Sequence, residues 1–137
     1  MARDRYHELV KQALIDEGWT ITDDPLIVDV LVRDLEVDLG AERIIAAEKE
    51  NEKIAVEIKN FLSISQLQDF YKALGQFNYY YLALKKKEPE RTLYLAIPQG
   101  AYESFFQEPI TLEAVAFYNL KLIVYSISRE NITKWEK

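Results

Sequence analysis

The chain has 137 residues, a formal net charge of −6, 49% hydrophobic residues and no cysteine. This is the composition of one globular domain spanning 1–137, large enough to bury a real core. It excludes disulfides and thiolate metal sites, and no apolar run approaches the roughly 20 residues that cross a bilayer. The opening Met1-Ala2-Arg3-Asp4-Arg5 lacks the apolar segment of a signal peptide, and a reducing cytoplasm is the expected compartment. The acidic balance runs against nucleic-acid binding, which draws much of its affinity from phosphate neutralisation. A metal-dependent nuclease site, however, is itself acidic until cations enter it. Basic residues gather at Lys85-Lys86-Lys87, Arg91, Arg3 and Arg5, and the lysine run equally suits a solvated helix C-terminus.

In chain order, residues 4–17 show helical spacing, with Tyr6, Leu9, Val10, Ala13 and Leu14 on one stripe ended by Gly18. Thr20-Ile21-Thr22 is extended, Asp23-Asp24-Pro25 is a turn, and Leu26 to Val32 suits a short strand. A hairpin follows, with arms from Val37 to Glu48 and from Lys53 to Lys59 around a turn at Glu50-Asn51-Glu52. Ser63 or Ser65 caps a long helix running to about Lys86. Thr92 to Ile97 has the apolar density of a central strand. Short helical segments follow around Tyr102, Phe105 and Phe106 and over 110–118, then a strand from Lys121 to Ile127 and an edge strand from Asn131 to Trp135. This order predicts an α/β fold, a mixed central β-sheet with helices on its faces.

The chemistry concentrates in Ile54-Ala55-Val56-Glu57-Ile58-Lys59-Asn60. Strand side chains alternate, so Glu57 and Lys59 share a face while Ile54, Val56 and Ile58 occupy the other. Glu-x-Lys is common as an ion pair on solvated strands. With an aspartate, Asp38, nineteen residues before Glu57, it is also a pattern for metal-dependent phosphodiester cleavage. Magnesium prefers oxygen ligands, usually one or two carboxylates plus waters. Asp38, Glu57 and the backbone carbonyl of Ile58 are the candidate ligands, and Lys59 would stand beside the attacking water.

The spacing contains a difficulty. A turn near Asn51 pairs Glu57 with a residue from Ile44 to Ala46, leaving Asp38 roughly 20 Å away along a straight strand. Asp38 therefore requires a bend, with Gly40 the obvious place. Otherwise Glu42 or Glu48 completes the site, Asp38 ranking first and Glu42 second. On the long helix, Gln76 and Tyr80 are spaced i, i+4 and share a face, where Gln76 can meet a phosphate or a water. His7 sits at the edge of the first helix's apolar stripe and is a further candidate. Glu8, nearly opposite that stripe, is a weaker one.

Several segments follow one another in a familiar order: Tyr6-His7, Gly18-Trp19-Thr20-Ile21-Thr22-Asp23-Asp24-Pro25, Val37-Asp38-Leu39-Gly40-Ala41-Glu42, Ala46-Ala47-Glu48-Lys49, Ile54 to Lys59, and Ala73-Leu74-Gly75-Gln76-Phe77. The series covers nearly the whole chain and resembles the XisH family, the cyanobacterial fdxN-element excision controlling factors. That resemblance implies a role in excising a DNA element alongside a partner of the XisI type. It also implies a core similar to the PD-(D/E)XK nuclease-like (restriction-endonuclease-like) superfamily, whose motif Asp38, Glu57 and Lys59 match. The Gln76-to-Tyr80 spacing looks like an accessory motif of some branches. Val37 stands where a proline would precede the aspartate.

The expectation is a Mg2+- or Mn2+-dependent, DNA-cleaving domain with Asp38, Glu57, Lys59, Gln76 and His7 at its site, homodimerisation being left open. Two rivals are a non-catalytic accessory protein that binds a partner or DNA, favoured by the nine Tyr, six Phe and two Trp, and a scaffold-like dimer with no nucleic-acid role.

Overall fold

The computed structural model describes residues 2–30, 33–34 and 44–137. Helix α1 (Ala2–Asp16) buries Tyr6, Val10, Ala13 and Leu14 on the expected stripe. It ends at Gly18, whose φ of 97° is a left-handed conformation that glycine adopts cheaply. The Gly18 N–H donates to Ile15 O at 2.9 Å and the Trp19 N–H to Leu14 O at 3.0 Å, the paired bonds of a Schellman end. Trp19 then folds back into the same apolar cluster as Leu14.

Strand β1 (Thr20–Asp23) follows. Among the described residues of the strand expected over 26–32, pairing is confined to β2 (Asp29–Val30), against β3 (Arg33–Asp34). Leu26 and Val28 are instead buried in the core. Strands β4 (Ile44–Lys49) and β5 (Glu52–Ile58) form the expected hairpin, turning at Glu50-Asn51 with Glu50 at φ 57°. The first arm's earlier part, 37–43, lies outside the described residues. Helix α2 (Gln66–Lys87) is capped by Ser65, whose Oγ accepts from the Gln68 N–H at 3.1 Å. Ser63, the other candidate cap, donates its hydroxyl to Asp69 Oδ1 instead. Lys85, Lys86 and Lys87 occupy the last turn of α2, where cations complement the helix dipole. Then come β6 (Arg91–Pro98), α3 (Gln99–Glu103), a 3-10 turn (Phe105–Gln107), α4 (Pro109–Phe117), β7 (Leu122–Ser126) and β8 (Asn131–Glu136).

Among the described residues, six strands form one sheet in the order β1-β4-β5-β6-β7-β8. β1, β4 and β5 run as an antiparallel meander, β5, β6 and β7 are parallel, and β8 closes the far edge antiparallel. Joining β5 to the parallel β6 requires a crossover, and α2 supplies it. Its buried face (Phe70, Ala73, Phe77, Tyr80, Ala83 and Leu84) covers one side of the sheet together with Phe61, Phe105 and Phe106. Helix α1 covers the other side over Ile54, Val56, Tyr94, Ile123 and Tyr125. Parallel strands buried on both faces read as nearly continuous apolar runs, as Leu93 to Ile97 and Leu122 to Tyr125 do. The fold is thus the mixed α/β sheet expected from the sequence, and no helix among the described residues is long and apolar enough to cross a membrane.

A candidate active site where the parallel strands end

Strand register decides where each candidate residue stands. Glu57 pairs with Ile44 on one side and Leu95 on the other, at the C-terminal end of β5. Ala55 and Leu95 belong to the cluster beneath α2, whereas Ile54 and Val56 belong to the cluster beneath α1. Alternation therefore turns Glu57 toward α2. The ordinary polar strand face is ruled out, because Glu57 is 0% exposed, in a layer of apolar side chains. An ionised carboxylate in such a place is costly unless paired. Lys59 Nζ lies 3.6 Å from Glu57 Oε2 and donates a hydrogen bond to Gln76 Oε1. Glu57, Lys59 and Gln76, predicted from separate elements, are thus one cluster between β5 and α2.

The backbone around Lys59 is held at several points. Its N–H donates to Ala96 O at 2.9 Å and its carbonyl accepts from the Tyr125 hydroxyl at 2.9 Å. Burial, with the neighbouring Tyr6, pushes the Tyr125 phenol well above its usual value, keeping it a donor. Two residues on, Phe61 takes φ 51° and packs edge-on against Phe106, with ring centroids 5.2 Å apart. Such anchoring fixes the base of the Lys59 side chain, whose ammonium is held by Glu57 and Gln76 and which is only 12% exposed. Tyr80, four residues after Gln76, is buried in the core. Ile58 is the last residue of β5, which places its carbonyl at the strand's end. Asp38 and Glu42 lie outside the described residues. They stand six and two residues before Ile44, the partner of Glu57. Glu48 is the opposite case: it pairs with Lys53 near the turn, at the other end of the hairpin.

His7 is at the same end of the sheet but on the other face. It is buried on α1, and its Nε2 meets Asp24 Oδ1 at 2.8 Å. Lys11 Nζ bonds the second oxygen, Asp24 Oδ2, at 2.8 Å. Burial pushes the Asp24 carboxyl up, but the hydrogen bond from Lys11 and the attraction of His7 outweigh it, and the net shift is below the usual carboxylate value. His7, Glu8 and Asp24 also present ligand atoms within 4.8 Å of one another. An ammonium already on one Asp24 oxygen opposes a second cation there. The arrangement acts as a clasp between α1 and the turn after β1. Nothing local in the sequence marks Asp24 as the partner of His7. The available signal is that a buried histidine needs a polar partner somewhere.

The family model described as XisH protein matches residues 1–133. The chain belongs to the XisH family. Two crystal structures resemble this XisH-family chain over 98% of its length, each with a TM-score of 0.90. An XisH family protein from Nostoc punctiforme PCC 73102 is 43% identical, with 100% of that chain covered. An fdxN element excision controlling factor protein from Anabaena variabilis is 44% identical, with 99% covered. No curated protein gives a significant match.

Proposed function

We propose that this XisH-family chain is a DNA element excision controlling factor bearing a metal-dependent phosphodiester-cleaving site of the PD-(D/E)XK kind. The first half follows from family membership and from the name of the Anabaena variabilis relative. The second half rests on one observation: a fully buried carboxylate, Glu57, ion-paired with a lysine that reaches Gln76 at the end of a central strand.

The donor set fits a hard divalent cation, since carboxylate and carbonyl oxygens suit magnesium and manganese and no soft ligand stands in the cluster. Glu57 and the Ile58 carbonyl would hold it, together with Asp38 or Glu42. When bound, the ion supplies an acidified water and charge stabilisation at the phosphoryl oxygens. Lys59 contributes a fixed positive charge beside that water and the developing anion, in a site poor in solvent where such a charge counts most. Gln76 holds the ammonium through its amide oxygen and keeps two N–H donors for a phosphate. His7, engaged by Asp24, supports the first helix at this end of the sheet. Purified protein is expected to nick supercoiled plasmid with Mg2+ or Mn2+, and Lys59→Ala to lose that activity. Equal nicking by the variant, or no metal binding by folded wild-type protein, would refute the catalytic half.

A second reading, a non-catalytic accessory protein that engages a small XisI-type partner, is favoured by the outer face of α2, where Leu67, Tyr71 and Leu82 are 46%, 57% and 57% exposed. Element excision unaffected by Glu57→Gln, with a small protein recovered on tagged wild type, would select it.

A further inference from the structure

A groove of about 630 Å³ opens at the same end of the sheet, between the β6–α3 junction and the β7–β8 connection. Arg5 and Arg129 line it, with Gln99, Gly100, Ser126 and Ser128 between them. Both arginines are exposed, and neither guanidinium forms an ion pair with another described residue. Arg5 lies 5.9 Å above the Tyr6 ring, and the described hydrogen bond of Arg129 is from its backbone N–H to Ser126 Oγ. The groove also holds two acids, neither of them ion-paired to these arginines. Glu103 accepts from Gln99 within α3, and Glu130 sits exposed on the lip. Two guanidiniums in one concavity, neither ion-paired with another described residue, offer paired donors to an anion.

The groove is also tied to the Glu57 cluster. Ser126 follows Tyr125, whose hydroxyl holds the Lys59 carbonyl, and Arg5 precedes Tyr6, whose ring centroid is 6.5 Å from that of Tyr125. β7 lies two strands from β5, about 10 Å at the usual strand spacing. A single DNA strand covers that distance in roughly three nucleotides.

We infer that this groove is a phosphate-docking subsite in which Arg5 and Arg129 grip the DNA backbone a few nucleotides from the phosphodiester presented to Glu57 and Lys59. Guanidinium forks match phosphate oxygens two at a time, so the pair fixes the strand's path without reading its bases. The inference rests on the DNA reading above and deepens it.

The test is the salt dependence of binding a fluorescently labelled duplex of mixed sequence, by anisotropy, from about 25 to about 200 mM KCl, where each lost phosphate contact lowers the logarithmic slope by about 1. Arg5→Gln/Arg129→Gln is expected to lower it by about 2, and Arg5→Lys/Arg129→Lys to keep most of it. Lys53→Gln/Lys137→Gln makes the same charge change at the opposite end of the sheet and is expected to leave the slope as it was. Thermal melts confirm that the variants fold. Wild-type binding with an unchanged slope in the arginine-to-glutamine pair, or an equal loss in the lysine pair, overturns the subsite and leaves the DNA reading standing. No wild-type binding at the lowest salt overturns the DNA reading, and the subsite with it.

Discussion

Two carboxylate–cation clusters stand at one end of the sheet, on opposite faces, and they are built differently. Asp24 receives one donor on each oxygen at 2.8 Å, from His7 and Lys11. Its charge is neutralised locally, and the contacts join α1 to the turn after β1. Glu57 is more deeply buried, its Lys59 contact is a 3.6 Å ion pair, and that lysine is shared with Gln76 on another element. A carboxylate closed off by short charge-assisted bonds is a structural clasp. On the proposed function, the carboxylate under a shared lysine at the mouth of three parallel strands would meet its ligand where open α/β sheets place theirs.

The largest expected effect separates the two clusters by activity. Glu57→Gln keeps shape and removes charge, and is expected to cut metal-dependent nicking by about 100-fold or more with the far-ultraviolet spectrum unchanged. Asp24→Asn is expected to leave nicking near wild type. A plasmid assay on both variants breaks the comparison if the ranking is reversed.

Stability should rank them the other way. Asp24→Asn removes a charge-assisted partner from both His7 and Lys11, an expected loss of about 1–3 kcal/mol in urea melts at neutral pH. Because the folded-state pKa of Asp24 is depressed, its contribution is complete above the ordinary value of 3.8 and disappears as the pH falls through and below it. Wild type and variant are therefore expected to converge in stability on acidification. A constant gap down to low pH would deny the linkage.

Tyr125→Phe deletes the hydroxyl that holds the Lys59 carbonyl, and about 1 kcal/mol of stability should go with it. If that bond positions the lysine, kcat falls while the apparent metal affinity stays. A drop in metal affinity alone would assign Tyr125 to the fold. Smallest is Gly18→Ala, which forces a Cβ into φ 97° with Lys49 Cε 3.4 Å away. About 1 kcal/mol is expected from thermal melts, with neither cluster's chemistry altered.

Much of this was legible because it is periodic. The α1 stripe, the Gly18 stop, a cap at Ser63 or Ser65 and the apolar density of β6 and β7 each follow from spacing or turn chemistry over a few residues. The turn position alone brings Glu57 opposite a residue from Ile44 to Ala46, the structure choosing Ile44, and alternation puts Glu57 and Lys59 on one face. What was not legible is non-local or depends on burial. The face bearing Glu57 resembled a solvated strand, because sequence does not show that α2 would cover it. Asp24 resembled a turn residue, since its bond to His7 spans seventeen positions and forms only once α1 packs beside β1. Leu26 and Val28 had strand-like composition, yet burial against the core determined their place instead.

The most direct measurement is a crystal of the full chain soaked with manganese, read by anomalous scattering. The expected result is an ion within about 2.0–2.3 Å of a Glu57 carboxylate oxygen, with Asp38 or Glu42 as a second ligand. Manganese bound instead among His7, Glu8 and Asp24, with Glu57 untouched, would contradict the assignment of the catalytic site.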